Sequence, residues 1–369
     1  MIADLSVKLF QLELKNPVMP AAGPPVKDGA AAHAAKQGGA GALVTKTIST
    51  KAARVPRPNM VRVKAGFLNA ELWSELSPAS WIKEEYPRVR ETGLPVVIGL
   101  GYTAREITEL APQVERFADA LELSTHYLGN DPTPLLESIK AAKALVDLPV
   151  LVKLSPQGDI PSLSRAAEEA GADGLVLINS LGPTLEIDPE TGSPLLGSAN
   201  GYGWLSGEAI FPLALRSVFE AVRSVQIPVL GVGGISSGLE AVKMIMAGAQ
   251  AVQVCTAAIL HGPMIYGRIV REIEQFLTDH GYRGLEEIRG LAQKQANRSA
   301  NFRTVVPLVK DENCNGCGIC LSSCVYQAIE LQAVGGPVLI KQDQCAGCGL
   351  CVSRCKFQAL SLSGELRGW

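Results

Sequence analysis

Three near-repeats decide the fold of this chain: GGAGALV at 38–44, AGADGLV at 170–176 and AGAQAVQV at 247–254. In each of them a glycine-containing turn leads at once into a short apolar run. This order is typical of a helix end that turns tightly into a buried strand.

Eight such apolar runs occur in the first 290 residues, and each ends in small or polar residues. They are PVMPAAG (17–23), GALVTKT (41–47), PVVIGLG (95–101), ALELSTH (120–126), PVLVKLSP (149–156), GLVLINS (174–180), PVLGVGG (228–234) and AVQVCTA (251–257). Apolar runs that lack polar alternation and are separated by helical patterns predict a parallel sheet covered on both faces. Eight repeats in about 250 residues predict an α/β fold, a closed (β/α)8 TIM barrel. A doubly wound open sheet is the alternative, although no GxGxxG opens a helix near the start as in a nicotinamide-binding domain.

Length and composition limit the partners and the location that we expect. The 369 residues can form a barrel and one small domain, and 47% of them are apolar. The net charge of −2 gives no sign of a nucleic-acid or membrane-surface partner. We see no signal peptide and no apolar stretch of roughly 18 residues that would cross a membrane. We therefore expect a cytoplasmic protein.

Eight of the nine cysteines form two copies of one motif near the C-terminus, at an offset of 31 residues. Both copies read C-x2-C-x2-C-x3-C, and the segment resembles a bacterial two-cluster ferredoxin domain. In proteins of this pattern the fourth cysteine of each run binds the other cluster. One predicted 4Fe-4S cluster is therefore held by Cys314, Cys317, Cys320 and Cys355, and the other by Cys345, Cys348, Cys351 and Cys324. The alternatives are zinc ribbons, which use paired CxxC units, and a secreted disulfide framework. Val325 and Lys356 stand where a proline usually follows the fourth cysteine.

Polar residues at the ends of the runs predict where a cofactor binds. Gly233 and Gly234 end the seventh run, where barrels often bind phosphate and where glycine lets a backbone approach an anion. Lys46 and Lys153 end two other runs, and a lysine in a barrel mouth needs a negative partner. A reduced flavin would supply one, although a lysine can also extend to solvent.

Together these residues resemble the dihydroorotate dehydrogenase superfamily of FMN barrels, and most closely the iron–sulfur, pyrimidine-reducing part of dihydropyrimidine dehydrogenase. The likeness covers essentially the whole chain. It implies FMN contacts at Ala21, Ala22, Lys46, Ser124, Lys153, Asn179, Ser206, Gly207, Gly233, Gly234, Cys255 and Thr256. It also implies substrate contacts at Asn69 and Glu71, in GFLNAELWSE, and at Asn179 and Ser180, in INS.

The fourth run departs from that family. The family usually reads ELNxSCP there, and its cysteine is the general acid or base in the ferredoxin-linked and soluble branches. This chain reads ELSTHYL, so Ser124 takes the place of the asparagine and Tyr127 that of the cysteine. We expect Tyr127 to donate the proton as the better positional match, or His126, because an unperturbed imidazole titrates near 6.5. The alternative is that neither residue is the donor, with His126 a loop histidine and Tyr127 a ring packed over the flavin edge. Strand alternation points the two side chains to opposite faces, so one of them is expected in the site.

These features predict an iron–sulfur flavoprotein that oxidises or reduces a C=C bond conjugated to a carbonyl in a small molecule. We expect hydride transfer through FMN, and single electrons through the clusters to or from ferredoxin or a partner subunit with FAD and NAD(P)H sites. The alternative is an electron-transfer subunit whose barrel has lost its substrate chemistry. We place the barrel at 1–290, a linker at 291–304 and the ferredoxin-like domain at 305–369, in a homo- or hetero-oligomer.

Overall fold

A computed structural model of the chain describes residues 3–124, 131–295, 304–333 and 335–362. The chain divides into two compact units, Met1–Ala296 and Asn297–Trp369. The first unit includes the short helix Leu291–Lys294, in which the Gln293 side chain donates to the carbonyls of Phe219 and Ala247. Residues 291–294 lie in the range that was expected from the sequence to form a linker.

The first unit is the predicted (β/α)8 barrel. Its eight parallel strands are β1 (Val18–Pro20), β2 (Leu43–Val44), β3 (Val96–Leu100), β4 (Ala120–Leu123), β5 (Val150–Leu154), β6 (Gly174–Leu177), β7 (Val229–Val232) and β8 (Ala251–Val254). They pair in the order β1-β8-β7-β6-β5-β4-β3-β2. Between β1 and β2, the Gly41 N–H donates to the Val18 carbonyl at 2.8 Å. A Cβ at Gly41 would lie 2.3 Å from the Asn16 carbonyl oxygen, so the glycine of the first near-repeat allows this contact.

Helices cover the outside of the strands and bury one apolar face each. In the helix Ala104–Val114, Thr103 and Glu106 form a capping box, and Ile107, Leu110 and Val114 are buried against the sheet layer. The longer helices of this layer are Gly29–Gln37, Ala104–Val114, Thr133–Lys143, Ile160–Glu169, Phe211–Val222, Gly238–Met246 and Ile265–Asp279. Shorter helical segments are Pro24–Val26, Pro78–Ser80, Trp81–Glu85, Tyr86–Arg90, Glu115–Phe117, Ala199–Gly201, Glu208–Ile210, Thr256–His261, Leu285–Ile288 and Leu291–Lys294.

Two additions close the ends of the barrel. The hairpin Val7–Leu9 and Leu12–Leu14 lies at the amino ends of the strands. There the backbone carbonyl of Lys8 accepts a hydrogen bond from the side chain of Gln250, which comes just before β8. At the carboxyl ends lies a four-stranded antiparallel sheet, here named the mouth sheet. Its strands, in pairing order, are Leu181–Thr184, Gly203–Ser206, Gly66–Asn69 and Met60–Val63. The mouth sheet therefore joins segments that are more than a hundred residues apart in the sequence.

The second unit shows the 31-residue repeat as structure. The helix Ile319–Ser323 of the first motif corresponds to the helix Leu350–Arg354 of the second. The strand pairs are Ile329–Leu331 with Val338–Ile340, and Leu308–Val309 with Leu360–Ser361. A small core is formed by Cys320, Ile329, Val338, Ile340 and Leu360. Among the described residues, no helix is both long and apolar enough to cross a membrane.

Candidate active site

A deep cleft opens at the carboxyl ends of the barrel strands, beneath the mouth sheet. It contains about 1510 Å³ of empty space, counted out to its open mouth. Its walls combine residues from the carboxyl ends of the barrel strands with residues of the mouth sheet. Every described residue that the sequence analysis assigned to cofactor or substrate lines it: Ala21, Ala22, Lys46, Asn69, Glu71, Ser124, Lys153, Asn179, Ser180, Ser206, Gly207, Gly233, Gly234, Cys255 and Thr256.

One end of the cleft is built from backbone and fits a phosphate. Gly233 and Gly234 have φ of +120° and +76°, and a Cβ on Gly234 would lie 2.6 Å from Phe211 Cβ. The chain then enters the helix Gly238–Met246, whose N-terminus favours negative charge. Across the cleft, the hydroxyls of Ser206 and Thr256 are 2.8 Å apart. These residues fit the phosphate of FMN without steric conflict from side chains.

The carboxylate of Glu71 also lines the cleft. Glu71 forms an ion pair with Lys46, and it also accepts a hydrogen bond from the Asn59 side chain. Arg57 adds a guanidinium nitrogen 4.0 Å from the carboxylate. The side chains of Lys46 and Glu71 are only 7% and 13% exposed. The charge of Lys46 is therefore offset by this chain's own carboxylate.

Lys153 also has protein partners. Its Nζ lies 3.3 Å from Glu122 Oε1 and 3.2 Å from Gln253 Oε1. Gln253 Nε2 donates a hydrogen bond to Glu122 Oε2 at 2.5 Å, and both residues are fully buried. Neither Glu122 nor Gln253 was predicted from the sequence to take these roles. The signal for them was a polar residue at one position of an otherwise apolar barrel strand.

The uncharged residues that are expected to contact the substrate come from two elements. Asn179 and Ser180 follow β6, and the Ser180 N–H donates to Asn179 Oδ1 at 2.8 Å. Asn69, on the mouth sheet, donates to the Trp204 carbonyl and accepts from the Glu71 N–H. Asn69, Asn179 and Ser180 therefore bring amide and hydroxyl groups to a single cleft.

Aromatic side chains that the sequence analysis passed over also line the cleft. Trp73 and Tyr102 meet edge to face with ring centroids 5.4 Å apart, and Trp204 lies on the mouth sheet. Burial, with a further contribution from Glu106, raises the pKa of Tyr102 to about 12. The Tyr102 phenol is therefore protonated at neutral pH.

Cys255, at the end of β8, is not poised as an acid. Burial raises the pKa of its thiol to about 11, although Lys153 and Lys46 favour the thiolate. A Cβ on Gly23 would lie 2.9 Å from its sulfur, so the thiol is packed closely against this turn. Cys255 therefore lines the cleft as a thiol that is protonated at neutral pH.

The candidate proton donors of the fourth run lie outside the described residues. Ser124 is buried at the end of β4 and lines the cleft, whereas His126 and Tyr127 fall in the range 125–130. The assignment of the proton donor to one of them remains a prediction.

The cysteines of the second unit surround two separate cavities. Cys314, Cys317, Cys320 and Cys355 line a cavity of about 330 Å³ of empty space. Cys345, Cys348, Cys351 and Cys324 line another, of about 360 Å³. The structure thus brings together the same two groups of four, each with its fourth cysteine from the other motif.

The two cavities also carry matching hydrogen bonds to sulfur. The N–H groups of Ala328 and Ala359 lie 3.3 Å from the sulfurs of Cys324 and Cys355. Each thiolate of a cubane binds a different iron, so cluster ligands lie farther apart than the ligands of a single ion. In the described part of the chain, no three His, Cys, Asp or Glu side chains form a group that could hold a single metal ion.

Comparison with known proteins covers both units. The model of the dihydroorotate dehydrogenase family matches residues 4–277, and that of the 4Fe-4S dicluster domain matches residues 313–359. Three similar proteins are each named dihydroorotate dehydrogenase B (NAD(+)), catalytic subunit. That of Methanosarcina mazei is 39% identical, over 79% of this chain and 96% of that protein. That of Methanothermobacter thermautotrophicus is 37% identical, over 78% and 98%. That of Geobacter sulfurreducens is 36% identical, over 78% and 97%.

Proposed function

Because the chain belongs to the dihydroorotate dehydrogenase family and is an iron–sulfur flavoprotein oxidoreductase with FMN and two 4Fe-4S clusters, we propose that it oxidises or reduces an uncharged ring. The bond concerned is a CH–CH or C=C bond conjugated to a carbonyl, as in a dihydropyrimidine. FMN supplies the site that gives or takes the hydride. The chain itself binds and orients the ring and moves one proton.

The observation that carries this proposal is the pairing of Glu71 with Lys46. Glu71 is a carboxylate inside the cleft, and its negative charge would repel an acidic substituent on the substrate. Lys46 is the cation that would otherwise receive such a substituent, and it is already paired. The site therefore favours a neutral ring over a carboxylated ring such as dihydroorotate.

The remaining polar groups suit a cyclic amide. Asn69, Asn179 and Ser180 can both donate and accept hydrogen bonds, as the N–H and C=O groups of an amide require. A ring held by such groups is discriminated strongly from analogues that lack them, because buried polar atoms would then be unpaired. This supports a dihydropyrimidine dehydrogenase-like specificity.

The proton must come from a donor on the side of the ring opposite the cofactor. Tyr127 and His126 are our candidates, because the position of the family's cysteine is occupied by Tyr127. Tyr102 is a further candidate, because its phenol lines the cleft. Comparing Tyr127→Phe, His126→Gln and Tyr102→Phe identifies the donor as the variant that loses turnover but retains FMN.

Electrons enter or leave through the two clusters in this proposal. No GxGxxG opens a helix near the start of the sequence, and the similar proteins are named as catalytic subunits. We infer that ferredoxin, or a partner subunit with FAD and NAD(P)H sites, completes the reaction, in a homo- or hetero-oligomer.

The test is a reoxidation experiment without oxygen. The protein is reduced with dithionite, freed of excess reductant and mixed with uracil, thymine, orotate and simple enones and enoates. We expect the flavin band near 450 nm to return fastest with a neutral pyrimidine. Faster return with orotate would contradict the proposed specificity.

A second candidate function is electron transfer without substrate chemistry, and the ELSTHYL stretch favours it because the family's usual acid is missing. That function predicts no reoxidation by any organic compound in a preparation that contains FMN and both clusters. Turnover with any of the compounds rejects it.

A further inference from the structure

Glu122, Lys153 and Gln253 form a closed ring of hydrogen bonds inside the barrel. Lys153 Nζ donates to Glu122 Oε1 at 3.3 Å and to Gln253 Oε1 at 3.2 Å, and Gln253 Nε2 donates to Glu122 Oε2 at 2.5 Å. Glu122 lies on β4, Lys153 on β5 and Gln253 on β8, so each residue is held by a different strand of the barrel. Glu122 and Gln253 are 0% exposed.

This ring of hydrogen bonds leaves one N–H of the Lys153 ammonium without a partner inside the ring. An ammonium group has three N–H bonds, and Glu122 and Gln253 take two of them. Lys153 and Gln253 line the cleft, while Glu122 is buried among the barrel strands. The third N–H is therefore available to a group bound in the cleft, and Gln253 can present its oxygen to Lys153 only because its nitrogen is held by Glu122.

We propose that Glu122 and Gln253 are positioning residues that aim the Lys153 ammonium at FMN and offset its charge, so that they set the reduction potential of the flavin. The inference rests on FMN binding and not on the identity of the substrate. Reduction places negative charge on the flavin near N1 and its neighbouring carbonyl, and a nearby cation favours this state. A carboxylate in contact with that cation weakens the effect, because the two opposite charges largely cancel at the flavin.

The direct test replaces Glu122 with glutamine, which keeps the shape and removes the charge. We expect the equilibrium constant for two-electron flavin reduction, measured against a reference dye, to rise at least about tenfold. A tenfold change corresponds to about 30 mV for a two-electron couple. The clusters are followed separately by EPR during the same titration, and no substrate is present.

A double-mutant cycle separates positioning from general damage to the barrel. If Glu122 acts through Lys153, then Glu122→Gln changes the equilibrium constant less than twofold when Lys153 is already methionine. The matched control is Glu85→Gln, which removes another buried carboxylate of the barrel, one that accepts the Gly29 N–H outside the cleft. We expect this control to leave the potential unchanged.

The proposal is overturned if Glu122→Gln leaves the equilibrium constant within twofold of the wild type or lowers it. It is also overturned if the same rise persists in the Lys153→Met background. If Glu122→Gln does not retain FMN, Glu122→Asp provides the test, because it withdraws the carboxylate by one methylene. A smaller rise that disappears with Lys153→Met is then expected, and an unchanged constant rejects the idea.

Discussion

Replacing Glu71 with glutamine tests how the cleft selects the charge of its substrate. In the wild type, Glu71 is paired with Lys46 and both side chains are almost buried. Glutamine keeps an oxygen for one neighbour but removes the negative charge. The variant therefore has an uncompensated ammonium on the substrate side of the cleft.

The size of the effect follows from Coulomb's law. A carboxylate held about 6 Å from Lys46 would gain about 3 kcal/mol at an effective dielectric constant of about 20, or about 100-fold in equilibrium terms. A neutral ring gains no such electrostatic free energy, and it loses at most the net free energy of one hydrogen bond, about 1 kcal/mol. We therefore expect kcat/KM for orotate relative to uracil to rise by about 100-fold in Glu71→Gln.

The assay is flavin reoxidation by each compound under identical anaerobic conditions. Glu208→Gln is the control, because Glu208 also lines the cleft but lies beside Ser236, near the phosphate end. Its orotate-to-uracil ratio should match that of the wild type. A ratio that changes less than about threefold in Glu71→Gln would refute the electrostatic reasoning.

Four further predictions concern other parts of the chain. Gly234→Ala forces an L-residue into φ +76° and against Phe211, so it should weaken FMN binding at least tenfold by fluorescence titration; unchanged affinity would contradict the phosphate cradle. Cys355→Ser should remove one cluster and leave the other, seen as a loss of about half the iron and one EPR signal; loss of neither would disprove the ligand exchange between motifs. Tyr127→Phe should slow reoxidation by about 10² to 10⁴ with normal FMN content, whereas an unchanged rate moves the role to another donor. Because burial holds the Cys255 pKa near 11, its thiol stays protonated below pH 9; Cys255→Ala should keep the shape of the pH–rate profile between pH 6 and 9, and a lost limb would show that Cys255 titrates in turnover.

The barrel strands and most of the site could be predicted from the sequence, because both depend on patterns of a few neighbouring residues. An apolar run followed by small polar residues identifies a buried strand and its mouth end wherever the run occurs. All eight runs became barrel strands, and the described residues assigned from their ends line one cleft. The cysteine spacing likewise fixed which sulfurs gather around each cavity of the second unit.

The tertiary structure decided which charges meet. Lys153 and Gln253 are 100 residues apart, and their contact exists only because β5 and β8 belong to one closed barrel. From the sequence, a flavin was expected to be the negative partner of both lysines. In the folded chain, Lys46 pairs with Glu71 and Lys153 pairs with Glu122. Local patterns set strands and turns through backbone and side-chain preferences over a few residues. The pairing of buried charges depends on distances across the barrel, which are set only when the whole chain has folded.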